Sequence, residues 1–98
     1  MYAAIVTVNI LPGHFEASRA VLEKEVVPRA SKSPGFVRGY WTVRDDKTHG
    51  LSFAVFRTQQ DAENAAKMAR STPTPPGVTI ANVELREIVA EGEGAAAV

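Results

Sequence analysis

The chain has 98 residues, eleven basic and eleven acidic, and no cysteine. A chain this short builds one core, and its neutrality removes the electrostatic term behind most non-specific binding to nucleic acid or to an anionic membrane. The missing thiols exclude a disulfide framework, a thiolate nucleophile and a thiolate metal site, and no apolar stretch approaches the roughly 20 residues that span a bilayer.

Tyr2 to Ile10 (YAAIVTVNI) is apolar and β-branched and predicts a first strand, ended by Pro12-Gly13. No basic, apolar leader precedes it, so a cytoplasmic location is expected. From His14 to about Ser31 the spacing of Phe15, Leu22 and Val26 among charged residues predicts a helix with one apolar face. Pro28 has no N–H for the carbonyl four residues earlier, so this helix should kink or loosen near Val27 before Ser33-Pro34-Gly35 turns the chain back. Phe36 to Arg44 is the second strand. The polar run from Asp45 to Gly50 has the composition of a hairpin loop, so the second strand pairs antiparallel with a third, Leu51 to Arg57.

Thr58 with Asp61 three residues later is an N-cap with an acidic first turn. The second helix then runs to about Arg70 and turns Ala62, Ala65, Ala66 and Ala69, with Met68 nearby, toward the sheet. Ser71 to Gly77 (STPTPPG) is a loop, Val78 to Val89 the last strand, and residues 90–98 a flexible tail.

The order βαββαβ specifies the ferredoxin-like α+β plan in a single domain, residues 1–89, with two helices on one face of a four-stranded antiparallel sheet. Period-two sorting puts Ala4, Val6, Val8, Val37, Trp41, Val43, Leu51, Phe53, Val55, Ala81, Val83 and Leu85 under the helices. Ile5, Thr7, Asn9, Phe36, Arg38, Tyr40, Thr42, Ser52, Ala54, Phe56, Ile80, Asn82 and Glu84 fall on the other face, which is too aromatic and aliphatic to be left to water. A second copy of the chain is expected to cover it, sheet against sheet at about 10 Å.

ILPGHFEA after the first strand, VVP and then SPGFVRGYW leading into the second, and SFAVFRTQQDAENA across the third strand and its helix carry a family resemblance. Over about Tyr2 to Val89 the chain resembles the antibiotic-biosynthesis-monooxygenase-like family of the dimeric α/β-barrel superfamily. The resemblance implies a homodimer whose sheets form a barrel, with a pocket between sheet and helices for a small hydrophobic or aromatic molecule. Such families include cofactor-independent oxygenases of aromatic polyketides, haem-degrading enzymes and chains without known activity. The haem-degrading members use an asparagine on the first strand, a tryptophan on the third strand or the following helix, and an iron-ligating histidine on a helix. Here Asn9 is displaced toward the strand end, Phe56 stands before the helix cap, and neither histidine, His14 or His49, is on the second helix. Haem degradation is therefore not expected, and neither a cofactor nor a metal is called for.

The chain has no phosphate-binding loop, dinucleotide fingerprint, HExxH or GxSxG. Trp41 and Tyr40 are adjacent and so point to opposite faces. Trp41 belongs to the core or to the wall of a helix-side cavity, where an indole stacks on a planar ligand. Tyr40 shares the other face with Arg38 and Thr42, where a phenol and a guanidinium bind an acidic ligand or join two subunits. His49, beside Gly50 in the hairpin, is the better general-base candidate, and simple exposure is its plainer reading. His14 sits in the first turn of a helix, either at a pocket mouth or solvated. Asp45 and Asp46 lack a third ligand and read as turn formers. The ligand-binding candidates are thus Arg38, Tyr40, Trp41 and His49, with no catalytic residue assigned. The functional expectation is a homodimeric binder of a small hydrophobic or aromatic molecule with cofactor-independent monooxygenase activity, set against a non-catalytic binding or interaction module.

Overall fold

A computed structural model describes residues 1–95. The uncharged run Tyr2–Ile10 forms β1, which lies inside the sheet and pairs antiparallel on both sides, with β3 (His49–Phe56) and with β4 (Val78–Glu87). β2 (Phe36–Val43) pairs antiparallel with β3, giving the order β2-β3-β1-β4. With the helices on one face this is the ferredoxin-like βαββαβ plan. β3 starts two residues earlier than its apolar run suggests, because the Arg44 N–H donates to the His49 carbonyl at 2.9 Å and lengthens the hairpin ladder. Lys47, at φ 61°, takes the left-handed position of that turn. β4 stops at Glu87, and the Ile88 N–H donates to the Met1 carbonyl. Of the expected tail, residues 90–95 are exposed and without regular structure, and residues 96–98 lie outside the described residues.

The first helical arm, residues 15–31, is made of α1 (Phe15–Val21), a π turn (Leu22–Val26) and α2 (Val27–Ser31). The loosening expected near Val27 takes this form. The Val27 N–H donates to the Leu22 carbonyl five residues back, and Pro28, which can donate to nothing, follows at the start of α2. α3 (Gln59–Ser71) opens on the Thr58 cap, whose hydroxyl accepts from the Asp61 N–H at 3.1 Å. Its buried residues are Ala62 and Ala66, and Ala62 packs into a cluster with Ala4 and Phe56. Phe36 adds an edge-to-face contact to Phe56, with ring centroids 5.8 Å apart. Met68 does not join the buried stripe and is 57 % exposed, since two steps along a helix from Ala66 rotate it about 200° away.

Register corrects the sorting of the two faces. Directly opposed residues of antiparallel strands share a face, so Ala4, Val6 and Val8 lie with Ala54, Ser52 and Gly50. Ser52, Ala54 and Phe56 are therefore under the helices, and Leu51, Phe53 and Val55, expected there, are on the far face. Each edge strand also carries a bulge. Val37 is the extra residue of β2 between Phe36 and Arg38, and Ala81 is the extra residue of β4 between Ile80 and Asn82. Beyond each bulge the alternation inverts, which brings Phe36 opposite Phe56 and Ile80 opposite Val8 on the helix side. Period two alone had no phase to offer, because both faces of this sheet are apolar and the bulges break the count.

Phe56 is the largest fully buried side chain. Phe56→Ala should cost about 3–5 kcal/mol in urea unfolding, while Met68→Ala should change stability by about 0.5 kcal/mol or less.

Candidate functional site

Small side chains let α3 lie directly on β1, β3 and β4, whereas the first arm reaches the sheet chiefly where α2 meets β2. Phe15, Leu22 and Val26 hang from the arm into the gap. What remains is a half-open cavity of about 850 Å³, floored by the helix side of the sheet and walled by the arm, by α3 and by the loop after it. That volume is within the usual range for small-molecule sites. At the hairpin end the Lys47 ammonium lies 5.1 Å from the Phe15 ring centroid, a cation–π contact that ties the β2–β3 turn to the arm. The charged rim is partly neutralised by Arg19 of α1 and Glu23 of the π turn, both exposed and paired at 2.9 Å.

The floor has one large flat surface. Trp41 and Gly39 are two apart on β2 and share the helix side, and a Cβ built on Gly39 would stand 3.0 Å from indole atoms Cη2 and Cζ3. The same Cβ would stand 3.2 Å from Phe36. The benzenoid end of the indole therefore leans back over Gly39, in space that any side chain there would occupy. Trp41 is half-buried and lines the cavity. Gly39 has no place among the sequence candidates, although a glycine two residues before a tryptophan on one strand leaves room for the ring to fold along its own sheet. Ser52, opposite both Val6 and Trp41, also lies on this floor, and its sequence neighbours gave no phase to place it there.

The other three candidates stand elsewhere. Tyr40 is opposite Phe53 and Arg38 opposite Val55, so both side chains belong to the far face, where Tyr40 is 59 % exposed. Tyr40, between Gly39 and Trp41 on edge strand β2, also borders the cavity. His49 is opposite Asn9 on the same far face. His14 is half-buried, with its ring against Gly77, which holds φ +79° and has no room for a Cβ. The structure thus brings only Trp41 of the four to the cavity floor and groups Arg38, Tyr40 and His49 on the opposite side of the sheet.

His49 closes a small polar network in the hairpin. The Thr48 hydroxyl is 2.6 Å from Asp46 Oδ1 and 2.7 Å from His49 Nδ1. An ionised carboxylate only accepts, so the single hydroxyl proton goes to Asp46 and the Thr48 oxygen accepts from His49 Nδ1–H. Arg44, 3.3 Å from the same nitrogen, then has nothing there to donate to. By this count His49 carries its proton on Nδ1 and leaves Nε2 free as an acceptor. The Thr48 hydroxyl and amide hold the Asp46 carboxyl below its ordinary pKa, with Arg44 adding a smaller charge effect. Among the described residues, no three His, Cys, Asp or Glu side chains converge as a metal site, and no helix is long and apolar enough to cross a membrane.

No protein-family model matches the chain, and no curated protein does. Solved structures do. A monooxygenase from the gene ActVA-Orf6 of Streptomyces coelicolor, in complex with the ligand nanaomycin D, is similar over 96% of this chain and 92% of that one, at 14% identity and a TM-score of 0.63. A candidate antibiotic biosynthesis monooxygenase from Chloroflexus aurantiacus covers 95% and 96%, at 17% identity and a TM-score of 0.62. The protein of unknown function NE2512 from Nitrosomonas europaea covers 97% and 95%, at 20% identity and a TM-score of 0.61. These likenesses, end to end and low in identity, establish a shared fold.

Removing the Thr48 hydroxyl tests the hairpin network. In Thr48→Val the Asp46 carboxyl should titrate nearer its ordinary value in an NMR pH titration. Because the folded value in the parent is the lower one, the network's contribution is full above the ordinary carboxylate range and is lost as pH falls through the depressed Asp46 value.

Proposed function

We propose that the protein binds a planar aromatic or hydrophobic molecule in the cavity under the first helical arm and acts on it as a cofactor-independent monooxygenase, working as a homodimer. The observation that carries this reading is the Trp41 indole laid along an apolar floor, with Gly39 leaving space for it. A flat ring stacks on such a surface with its centroid about 4.5–7 Å from the indole. The fold adds support, because the Streptomyces coelicolor monooxygenase that shares it is in complex with nanaomycin D.

Oxygenation without a cofactor requires a substrate that donates its own electrons. A ring ketone with an acidic methylene loses a proton to give an enolate, which passes one electron to dioxygen. The resulting radical pair closes a C–O bond, and the peroxide loses water as its O–O bond breaks. The sum is R2CH2 + O2 → R2CO + H2O, with the first proton returned to the departing oxygen. The protein's share is to hold the ring, exclude bulk water and leave room for dioxygen. Arg38 and Tyr40 act at the subunit junction in this reading, and Trp41 borders the substrate.

The homodimer is argued from the far face. Tyr40 and Leu51 are 59 % and 41 % exposed there, beside Ile5 and Phe53, which makes an apolar surface of the kind that protein contacts cover. Glu84 and Arg86 pair at 2.8 Å on the outer strand, so an identical face meets little net repulsion. A second copy supplies the same flat, twisted surface for sheet-on-sheet packing.

A second reading, binding without turnover, is favoured by the position of His49. Its free Nε2 is on the far face, so it cannot take a proton from a molecule on the cavity floor. Oxygen uptake with anthrone separates the two readings. A monooxygenase should convert anthrone to anthraquinone and water faster than buffer does, with Trp41→Ala at least about ten-fold slower. Binding of anthrone with uptake no faster than buffer would instead establish the non-catalytic module. For the dimer, sedimentation should give twice the 10.5 kDa mass of one chain, and Phe53→Glu should halve it while preserving the fold.

A further inference from the structure

We propose that the Ser52 hydroxyl orients the bound molecule by donating a hydrogen bond to a neutral oxygen on the edge of its ring system, a quinone or ketone carbonyl. This rests on the cavity being the binding site. Seven hydroxyl-bearing residues border the cavity, Ser18, Ser33, Tyr40, Thr42, Ser52, Thr72 and Thr74, and two of them, Tyr40 and Thr42, carry their side chains on the far face of the sheet. Five are already committed to backbone carbonyls of their own chain. Ser18 donates to Phe15 at 2.8 Å, Thr42 to Leu51 at 2.8 Å, Thr72 to Met68 at 2.7 Å, Thr74 to Val78 at 2.6 Å, and Ser33 more weakly to Arg29 at 3.4 Å. Among the described residues Ser52 is the one of the five hydroxyls on the helix side that makes no such bond. Its oxygen is not sealed in, since no fully buried side-chain nitrogen or oxygen among those residues lacks a partner. The hydroxyl therefore opens into the cavity and has its proton to give.

Its surroundings make that proton selective. Ser52 is directly opposite Val6 on one side and Trp41 on the other, and Ala54 and Gly50 are its neighbours on the same face. Apart from the indole N–H, it is the single polar group of the sheet floor. Directly opposed side chains stand with their Cβ atoms about 4.5–5.5 Å apart, so a ring stacked on Trp41 brings its edge over Ser52. A bare hydrocarbon there strips the hydroxyl of water and returns nothing, whereas a carbonyl oxygen replaces the lost hydrogen bond. The charged residues that border the cavity, Glu16, Arg19, Glu23, Arg29 and Lys47, belong to the arm and the hairpin turn and not to the floor, so beside Ser52 a neutral oxygen is favoured over a carboxylate.

Trp41 is the only tryptophan, so its fluorescence reads binding at this floor. Naphthalene and 1,4-naphthoquinone are probes of similar shape that differ in their edge oxygens. The parent protein should bind both, the quinone more tightly. Ser52→Ala should weaken the quinone by about three- to ten-fold and leave naphthalene unchanged, and Ser52→Thr should restore the preference. Naphthalene binding by the Ala variant also shows that its cavity is intact. Equal effects on both probes, or no effect on either, would overturn the role of Ser52 and leave the cavity standing. If the parent binds neither probe, the cavity reading falls and the Ser52 proposal falls with it.

Discussion

Ala62 and Ala66 of α3 carry nothing beyond a methyl group, and their burial decides where the empty space in this molecule falls. A helix whose inner face is alanine approaches the sheet until backbone nearly meets side chain, and here it settles over Ala4 and Phe56. That contact fixes one side of the helical layer close to β1, β3 and β4. The first arm, with Phe15, Leu22 and Val26 on its inner side, cannot descend to the same depth. The cavity is the difference in height between the two. A bulkier α3 face would raise that helix to the level of the arm and turn one tight seam and one hollow into a uniform, poorer layer.

The elements of this fold were legible in the sequence, and their faces were not. β1 is bounded as its apolar run suggests, and the α3 start follows from the Thr58 hydroxyl and the Asp61 amide. Both signals are local: a run of β-branched residues, a cap with its own hydrogen bond. Which face a strand turns to the helices is not local. It depends on register against β1 and on whether the count of residues is even, and Val37 and Ala81 each change that count. The same blindness covered Ser52. It was sorted to the far face along with Phe56, and only pairing with Val6 and Trp41 places it on the floor. Trp41 was legible because it is large and its neighbour Tyr40 must point the other way.

The sheet divides this protein's chemistry into two compartments. On the helix side are a planar indole, aliphatic side chains and one free hydroxyl. On the far side are a phenol, a guanidinium and an imidazole whose hydrogen bonds leave Nε2 open. The imidazole is thus kept from the hollow, and the groups that stack and orient are kept within it. Under the proposed function, a cavity furnished this way places the burden of reactivity on the molecule that enters. The protein would then contribute confinement and direction, and the far face association.

Three elements around the cavity each hold one residue more than regular geometry requires. β2 has Val37, β4 has Ala81, and the turn from Leu22 to Val26 closes over five steps where an α-helix would use four. Substituting any of these residues leaves the count intact, while deleting one would rotate everything on one side of it, by about half a turn in a strand and about 100° in a helix. The outline of the hollow is therefore stored in the spacing of the chain more than in its letters. Homologues that differ by single insertions or deletions at these three points would diverge in cavity shape faster than their percentage identity suggests. Length polymorphism, a variable that residue-by-residue comparison discards, is then a direct determinant of the shape of the hollow in this scaffold.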